Sequence, residues 1–259
     1  LPPASTSKPF PGTPSQPSPR STTAALALNG REYIETDLTY NGGHPITLEA
    51  IVCPDAVEDA VLLGNCEFAG LAIELADGQW CFTVHDRDKY RSAVSDERAV
   101  AGQVVHLAGM YDGQTLRLFV DGRLQRSSPR LNGEHRPSAL PLFVGADPDR
   151  AGRPHHVFRG AIYAVQVTGA IVYYENFTPE YPLPRHDAAM LLLNMNEGRG
   201  PVSPDRSGKR CRAKILGAEW TEAPAPTWDE VPAQQAVLDL SDADEAWARE
   251  WMVVATRSG

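Results

Sequence analysis

The sequence predicts an all-β protein made of two packed antiparallel sheets. Three observations carry this. Short apolar or alternating runs recur from Ala24 onward, turn-forming Gly, Asn, Asp and Pro separate them about every eight to twelve residues, and none of the runs has helical spacing.

The runs are read in chain order. "AALALN", "EYIET", "TLEAIVC" and "AVLLGN" come first, followed by "LAIEL", "WCFTVH" and "YRSAV". "VVHLAGMY" is apolar on both faces, as expected of a central strand covered on each side. In "LRLFV", Leu116, Leu118 and Val120 share one face while Arg117 and Phe119 share the other, the period of a half-buried strand. "PLFVG", "FRGAIYAVQV", "AIVYY", "MLLLNM" and "AKIL" complete the series. Asp77-Gly78, Asp112-Gly113 and Asp121-Gly122 each fall between two runs, where Asp-Gly supplies the positive φ of a tight hairpin. Three aspartates in equivalent positions are architectural rather than catalytic.

The flanks differ in character. Residues 1–23 are mostly Pro, Ser and Thr with nothing to bury, the composition of an extended linker, and an upstream domain is expected before it. The sandwich is expected over 24–222. The extension 223–259 should end in one short C-terminal helix, with Ser241 and Asp244 as a capping box and Ala243, Trp247, Trp251 and Val254 on one face.

Bulk properties exclude whole classes of function. With 24 Lys and Arg against 33 Asp and Glu, the formal charge is −9 and the cations are scattered, so no nucleic-acid surface is expected. No apolar run approaches the roughly 18 to 20 residues of a membrane span. Cys53, Cys66, Cys81 and Cys211 lack zinc-ligand spacing; Cys66 and Cys81 flank successive strands and are the pair that could meet as a disulfide, while the alternative is four small core residues. Asn176 in "NFT" is the only glycosylation sequon.

Several stretches resemble the laminin-G-like jelly roll of the concanavalin A-like lectin/glucanase superfamily. "EYIET" with "ITLEAIVCPD" is similar to its opening strands, with Ile51 in place of the usual aromatic. "GLAIELADGQWCFTVHD" is similar to its paired strands, and "GQVVHLAGMYDGQTLRLFVDGRLQ" to its commonest stretch, with Gln103 near the position of a usual Trp. "LFVGADPDRAGRPHHVFRGAIYAVQV" follows. "MLLLNMNEGRGPVSPDRSGKRCRAKILGAEW" resembles a segment that usually begins the domain and here ends it. The resemblance implies a jelly-roll sandwich, and a recognition module, an adhesion domain or, in a minority, a glycoside hydrolase.

The residues argue against hydrolysis. A glycosidase needs two carboxyl groups across a sugar, about 5 to 9 Å apart. In the glucanase branch these sit on one strand as ExDxxE, and "ETDLTY" lacks the final Glu. Nucleophile-elbow, zincin and phosphate-loop motifs are absent as well. The sequence therefore points to a non-enzymatic module that binds a glycan or a protein partner in an extracytoplasmic polypeptide. Tyr40, Asn65, Tyr90, Arg91, His155 and Arg159 are the candidate ligand contacts, since a sugar site combines an aromatic platform with hydrogen-bonding groups. Calcium is the candidate cofactor, because loops rich in Asp and Asn supply hard oxygen donors, the alternative being that these side chains only form turns. Its candidate ligands are Asp37, Asn41 and the Gly43 carbonyl, Asp147 in "GADPDR", and Asp205 if the domain's ends meet.

Overall fold

A computed structural model describes residues 21–127, 129–131 and 135–233. The helix expected after Ser241 and nearly all of the 1–23 linker lie outside these residues. Every regular element described is a strand. In chain order they are β1 (Thr22–Asn29), β2 (Tyr33–Thr39), β3 (Ile46–Pro54), β4 (Ala60–Gly64), β5 (Leu71–Ala76) and β6 (Gln79–Asp86). There follow β7 (Lys89–Arg98), β8 (Val105–Tyr111), β9 (Leu116–Val120), β10 (Arg123–Leu124), β11 (Pro141–Val144) and β12 (Asp147–Pro148). The last are β13 (Pro154–His155), β14 (Arg159–Thr168), β15 (Ala189–Leu193), β16 (Ala213–Leu216) and β17 (Glu219–Pro224).

Two sheets face one another. One has the order β10-β9-β8-β3-β14-β1-β17, with β15 added to β14; the other runs β16-β2-β11-β4-β5-β6-β7. All ladders are antiparallel. Between the sheets lies one continuous core that includes Leu26, Leu48, Leu62, Ile73, Phe82 and Leu118, each fully removed from water. A buried side chain of this size contributes about 1.5–3 kcal/mol, so this layer supplies most of the driving force for folding. The closing segment completes both sheets as expected: β16 joins β2 and β17 joins β1.

Thirteen of the fourteen runs fall in strands. The exception is "AIVYY", which belongs to a strap over residues 169–188 that crosses the outer face of the β3-β8-β14 sheet. Its backbone is anchored by the Thr47 hydroxyl, which donates to the Ala170 carbonyl (2.6 Å) and accepts from the Val172 N–H (3.3 Å). Tyr173 and Phe177 stack at 3.5 Å and pack on Phe119, Ala108 and Met110. Farther along the chain, the Trp228 indole donates to Asp121 (2.7 Å) and its ring packs beside His106. The packed chain thus continues beyond residue 222.

The strap corrects the half-buried reading of "LRLFV". Phe119 is fully buried and Arg117 is 6% exposed, because the outer face is roofed rather than solvated. The strap also encloses Glu49, which is 0% exposed. Its carboxylate accepts from the Tyr173 hydroxyl (2.7 Å) and the Gln166 amide (3.0 Å), and lies 3.3 Å from His106 Nε2 and 3.4 Å from His186 Nε2.

Two of the three Asp-Gly pairs form the expected turns, Asp77-Gly78 and Asp121-Gly122, with both residues of each pair at positive φ. Asp112 acts differently. Its Oδ1 accepts from the Gln114 and Thr115 N–H groups, and its Oδ2 pairs with Arg117 at 2.9 Å. All four cysteines are free thiols, so Cys66 and Cys81 are not joined. The Asn176 side chain accepts the Leu124 N–H and ties the strap to β10.

Candidate functional site

Three connections gather at one end of the sandwich: the β4–β5 loop, the segment 135–140 before β11, and the β12–β13 hairpin. Asn65 locks the first to the second. Fully buried, it accepts the Leu71 N–H at its Oδ1 and donates from Nδ2 to the Leu140 carbonyl. Backbone bonds from Gly70 N–H to Arg136 O (2.7 Å) and from Arg136 N–H to His85 O (3.0 Å) complete the attachment.

At the tip of the β4–β5 loop Phe68 is 54% exposed with φ at 55°, a conformation that costs a non-glycine residue about 1–3 kcal/mol. Tyr90 holds it there: its hydroxyl accepts the Phe68 N–H (2.7 Å) and donates to the Cys66 carbonyl. Burial pushes the Tyr90 phenol up to about 12, so it stays a donor throughout the physiological range. Its own ring remains 43% exposed and meets His85 edge-on at 4.9 Å. Two aromatic rings are therefore presented to solvent, one from the β4–β5 loop and one from the start of β7.

Charged groups surround the pair. The Arg150 guanidinium lies 4.4 Å over the Phe68 ring and 3.2 Å from Glu67 Oε1. His155 Nε2 lies 3.8 Å from Glu67 and 3.2 Å from Asp147 Oδ2. Asp147 is itself 3% exposed and accepts the Cys66 N–H at 2.6 Å. Burial raises its carboxyl to about 7, opposed by that N–H. A cavity of about 390 Å³ opens beside these residues, lined by Glu67, Phe68, Arg136, Ser138, Leu140 and Arg150.

A larger cleft, about 540 Å³, lies between the edges of β7 and β9. Its one aromatic side chain, Trp80, is 4% exposed and offers no face for stacking. Two of its three acids are engaged as well: Asp96 pairs with Arg126, and Asp121 accepts from His106 N–H and Trp228. The smaller cavity is the better candidate.

Of the six ligand contacts expected from the sequence, Asn65, Tyr90 and His155 come together here, Asn65 as a buried brace. Tyr40 does not. It is 2% exposed in the core and donates to the Gly43 carbonyl. Arg91 is half-buried in β7 opposite Val84, and Arg159 stands at the start of β14 opposite Asn29. Phe68, Glu67, Arg136 and Arg150 were not singled out by sequence reasoning. The available signal was a bulky aromatic inside "NCEFAG", between a strand end and a turn glycine, where a core residue has nowhere to go.

The expected calcium ligands do not fit an ion in this arrangement. Asn41 Oδ1 accepts the Gly43 N–H, and the Gly43 carbonyl takes the Tyr40 hydroxyl. Asp37 accepts the Arg212 N–H and lies 3.3 Å from the Arg212 guanidinium. Asp205 accepts from the Leu192, Ser207 and Cys211 N–H groups and the Ser207 hydroxyl, organising the turn before β16. Asp37 and Asp205 do meet on either side of Cys211, as the closure of the domain's ends requires, while Asp147 lies with Cys66. Among the described residues no three His, Cys, Asp or Glu side chains are grouped to hold a metal.

Comparison with known proteins bears on the fold. A family model described as Laminin_G_3, concanavalin A-like lectin/glucanases superfamily, matches residues 28–171. Among solved structures, one from Bacteroides ovatus ATCC 8483 described as a "putative carbohydrate binding protein" is similar with a TM-score of 0.62 at 15% identity. The similarity covers 81% of this chain and 62% of that one, so this chain spans about three fifths of its length. Domains LG4-5 of the mouse laminin alpha1 chain are similar at TM-score 0.45 and 19% identity, over 56% of this chain and 41% of that one. The CBM40 of a Ruminococcus gnavus IT-sialidase, bound to alpha2,3 sialyllactose, is similar at 0.47 and 11%, over 59% and 93%. No curated protein matches the chain.

Proposed function

This chain belongs to the concanavalin A-like lectin/glucanases superfamily, and from that premise we propose that it is a non-catalytic carbohydrate-recognition module whose site is the Phe68 cavity. The observation that carries the reading is the display of Phe68: a half-exposed aromatic in a strained backbone conformation, fixed by the Tyr90 hydroxyl at the mouth of a polar-rimmed cavity. Strain retained at an exposed apolar side chain supports a role in binding. A sugar ring stacks its C–H face on such a ring, while Arg136, Arg150, His155 and Glu67 meet its hydroxyls.

A hydrolytic role is disfavoured by the same geometry. Glu67 is ion-paired with Arg150, and Asp147 sits buried behind the loop with Cys66. Both carboxyls lie against His155 Nε2, at 3.8 Å and 3.2 Å, and with Asp147 only 3% exposed the pair is engaged with the imidazole rather than open to a sugar. Among the described residues no helix is long and apolar enough to cross a membrane. We place the module in an extracytoplasmic polypeptide, joined to a neighbouring domain through the Pro/Ser-rich segment.

A glycan array probed with the labelled protein and with Phe68→Ala tests the reading. The wild type should retain a discrete set of glycans, and the variant should bind them about tenfold or more weakly with an unchanged melting temperature. An array with no glycan above background, or equal binding by the two proteins, would overturn it.

A further inference from the structure

We infer that the saccharide taken by the Phe68 cavity carries a carboxylate. The inference rests on the proposed glycan site and names its ligand class. The cavity is lined by two guanidinium groups, Arg136 and Arg150, against one acid, Glu67. Glu67 is already compensated, since Arg150 Nε lies 3.2 Å from its Oε1. The Arg136 guanidinium makes no ion pair with any described residue, and the described lining keeps one positive charge in a chain whose net charge is −9. That charge is felt locally: burial first, and then Arg136, hold the His85 imidazole below its ordinary pKa.

The chemistry selects the ligand. A guanidinium fork matches the two oxygens of a planar carboxylate, and such charge-assisted pairs are about twice as strong as neutral hydrogen bonds. Phe68 supplies the apolar face beside it. An aromatic ring next to an uncompensated guanidinium is the complement of a pyranose that is apolar across its ring face and anionic at its exocyclic carbon, which describes a uronic acid. A neutral hexose would satisfy the ring and leave Arg136 to water.

Titration calorimetry of the whole chain against a panel of hyaluronate, alginate and oligogalacturonate fragments, each beside its carboxyl-reduced counterpart, tests the inference. At least one acidic fragment should bind tenfold or more tightly than its reduced partner. Arg136→Gln should erase that preference, whereas Phe68→Ala should weaken both members of a pair. Equal affinity for acidic and reduced fragments, or a preference that survives Arg136→Gln, overturns the acidic class while leaving a glycan site standing. No binding by any acidic or neutral fragment overturns the class and the glycan reading together.

Discussion

Gly122→Ala should lower the unfolding free energy by about 3 kcal/mol or more, the sum of forcing a side chain into the left-handed region and overpacking a closed contact. Gly122 has φ at 72°, and a Cβ built there would lie 1.7 Å from the Phe177 carbonyl oxygen. That oxygen cannot retreat freely, because the Phe177 N–H donates to the Gly122 carbonyl at 2.9 Å and the Phe177 ring is stacked on Tyr173. The second Asp-Gly turn is thus a hairpin turn and the clasp of the strap at once. Gly102→Ala is the control. Its φ is 77° but nothing lies within 4 Å, so it should cost only the backbone strain, about 1 kcal/mol. Urea unfolding of the two variants separates the contributions, and equal losses would show that the strap does not press on Gly122.

The second large effect lies under the same strap. Glu49→Gln should cost about 3–5 kcal/mol, since it removes the negative charge from a buried network and turns into a donor one of the two oxygens on which His106, His186, Tyr173 and Gln166 converge. The pH dependence identifies the cause. Burial pushes the Glu49 carboxyl upward, but His106, His186 and Tyr173 outweigh it and hold the group well below its ordinary value of 4.5. Its contribution is present above that value and is lost as pH falls toward the depressed one. His186 is raised above its ordinary 6.5, chiefly by its bond to Glu49, so its contribution is complete below 6.5 and fades as pH climbs through the raised value. The Glu49–His186 pair should therefore contribute most between about pH 4.5 and 6.5, and the stability difference between wild type and Glu49→Gln should be largest there and shrink on either side. Stability curves that stay parallel from well below pH 4.5 to well above pH 6.5 would assign the loss to packing rather than charge.

These two predictions mark where sequence reasoning stopped. Alternation located the strands, because period-two burial leaves a direct trace in residues such as Leu116, Leu118 and Val120. It also set Arg117 and Phe119 together on the opposite face of the same strand. What it could not supply was the strap. Residues 169–188 have no regular period, and the polar residues they cover look the same in sequence whether roofed or wet. The site was legible to the same degree. Asn65, Tyr90 and His155 lie on loops whose ends are set by turn residues, so their convergence follows from the fold. Phe68 and Arg150 acquire meaning only when the β4–β5 loop and the β12–β13 hairpin are brought together across the sheet, a long-range contact that no local pattern encodes. Of the residues named as calcium ligands, Asp205 and Asn41 use their oxygens on backbone N–H groups, which is the commonest use of such side chains.

The central claim is that ligand binds at the loop-built end, on Phe68. Backbone amide shifts of the isotope-labelled protein, followed by NMR while the best glycan from the array is titrated in, test it most directly. The largest shifts should fall in residues 65–70, 136–140 and 147–156 and should disappear in Phe68→Ala. Shifts concentrated instead around Trp80, Val100 and Gln125, in the cleft between the sheet edges, would contradict the account.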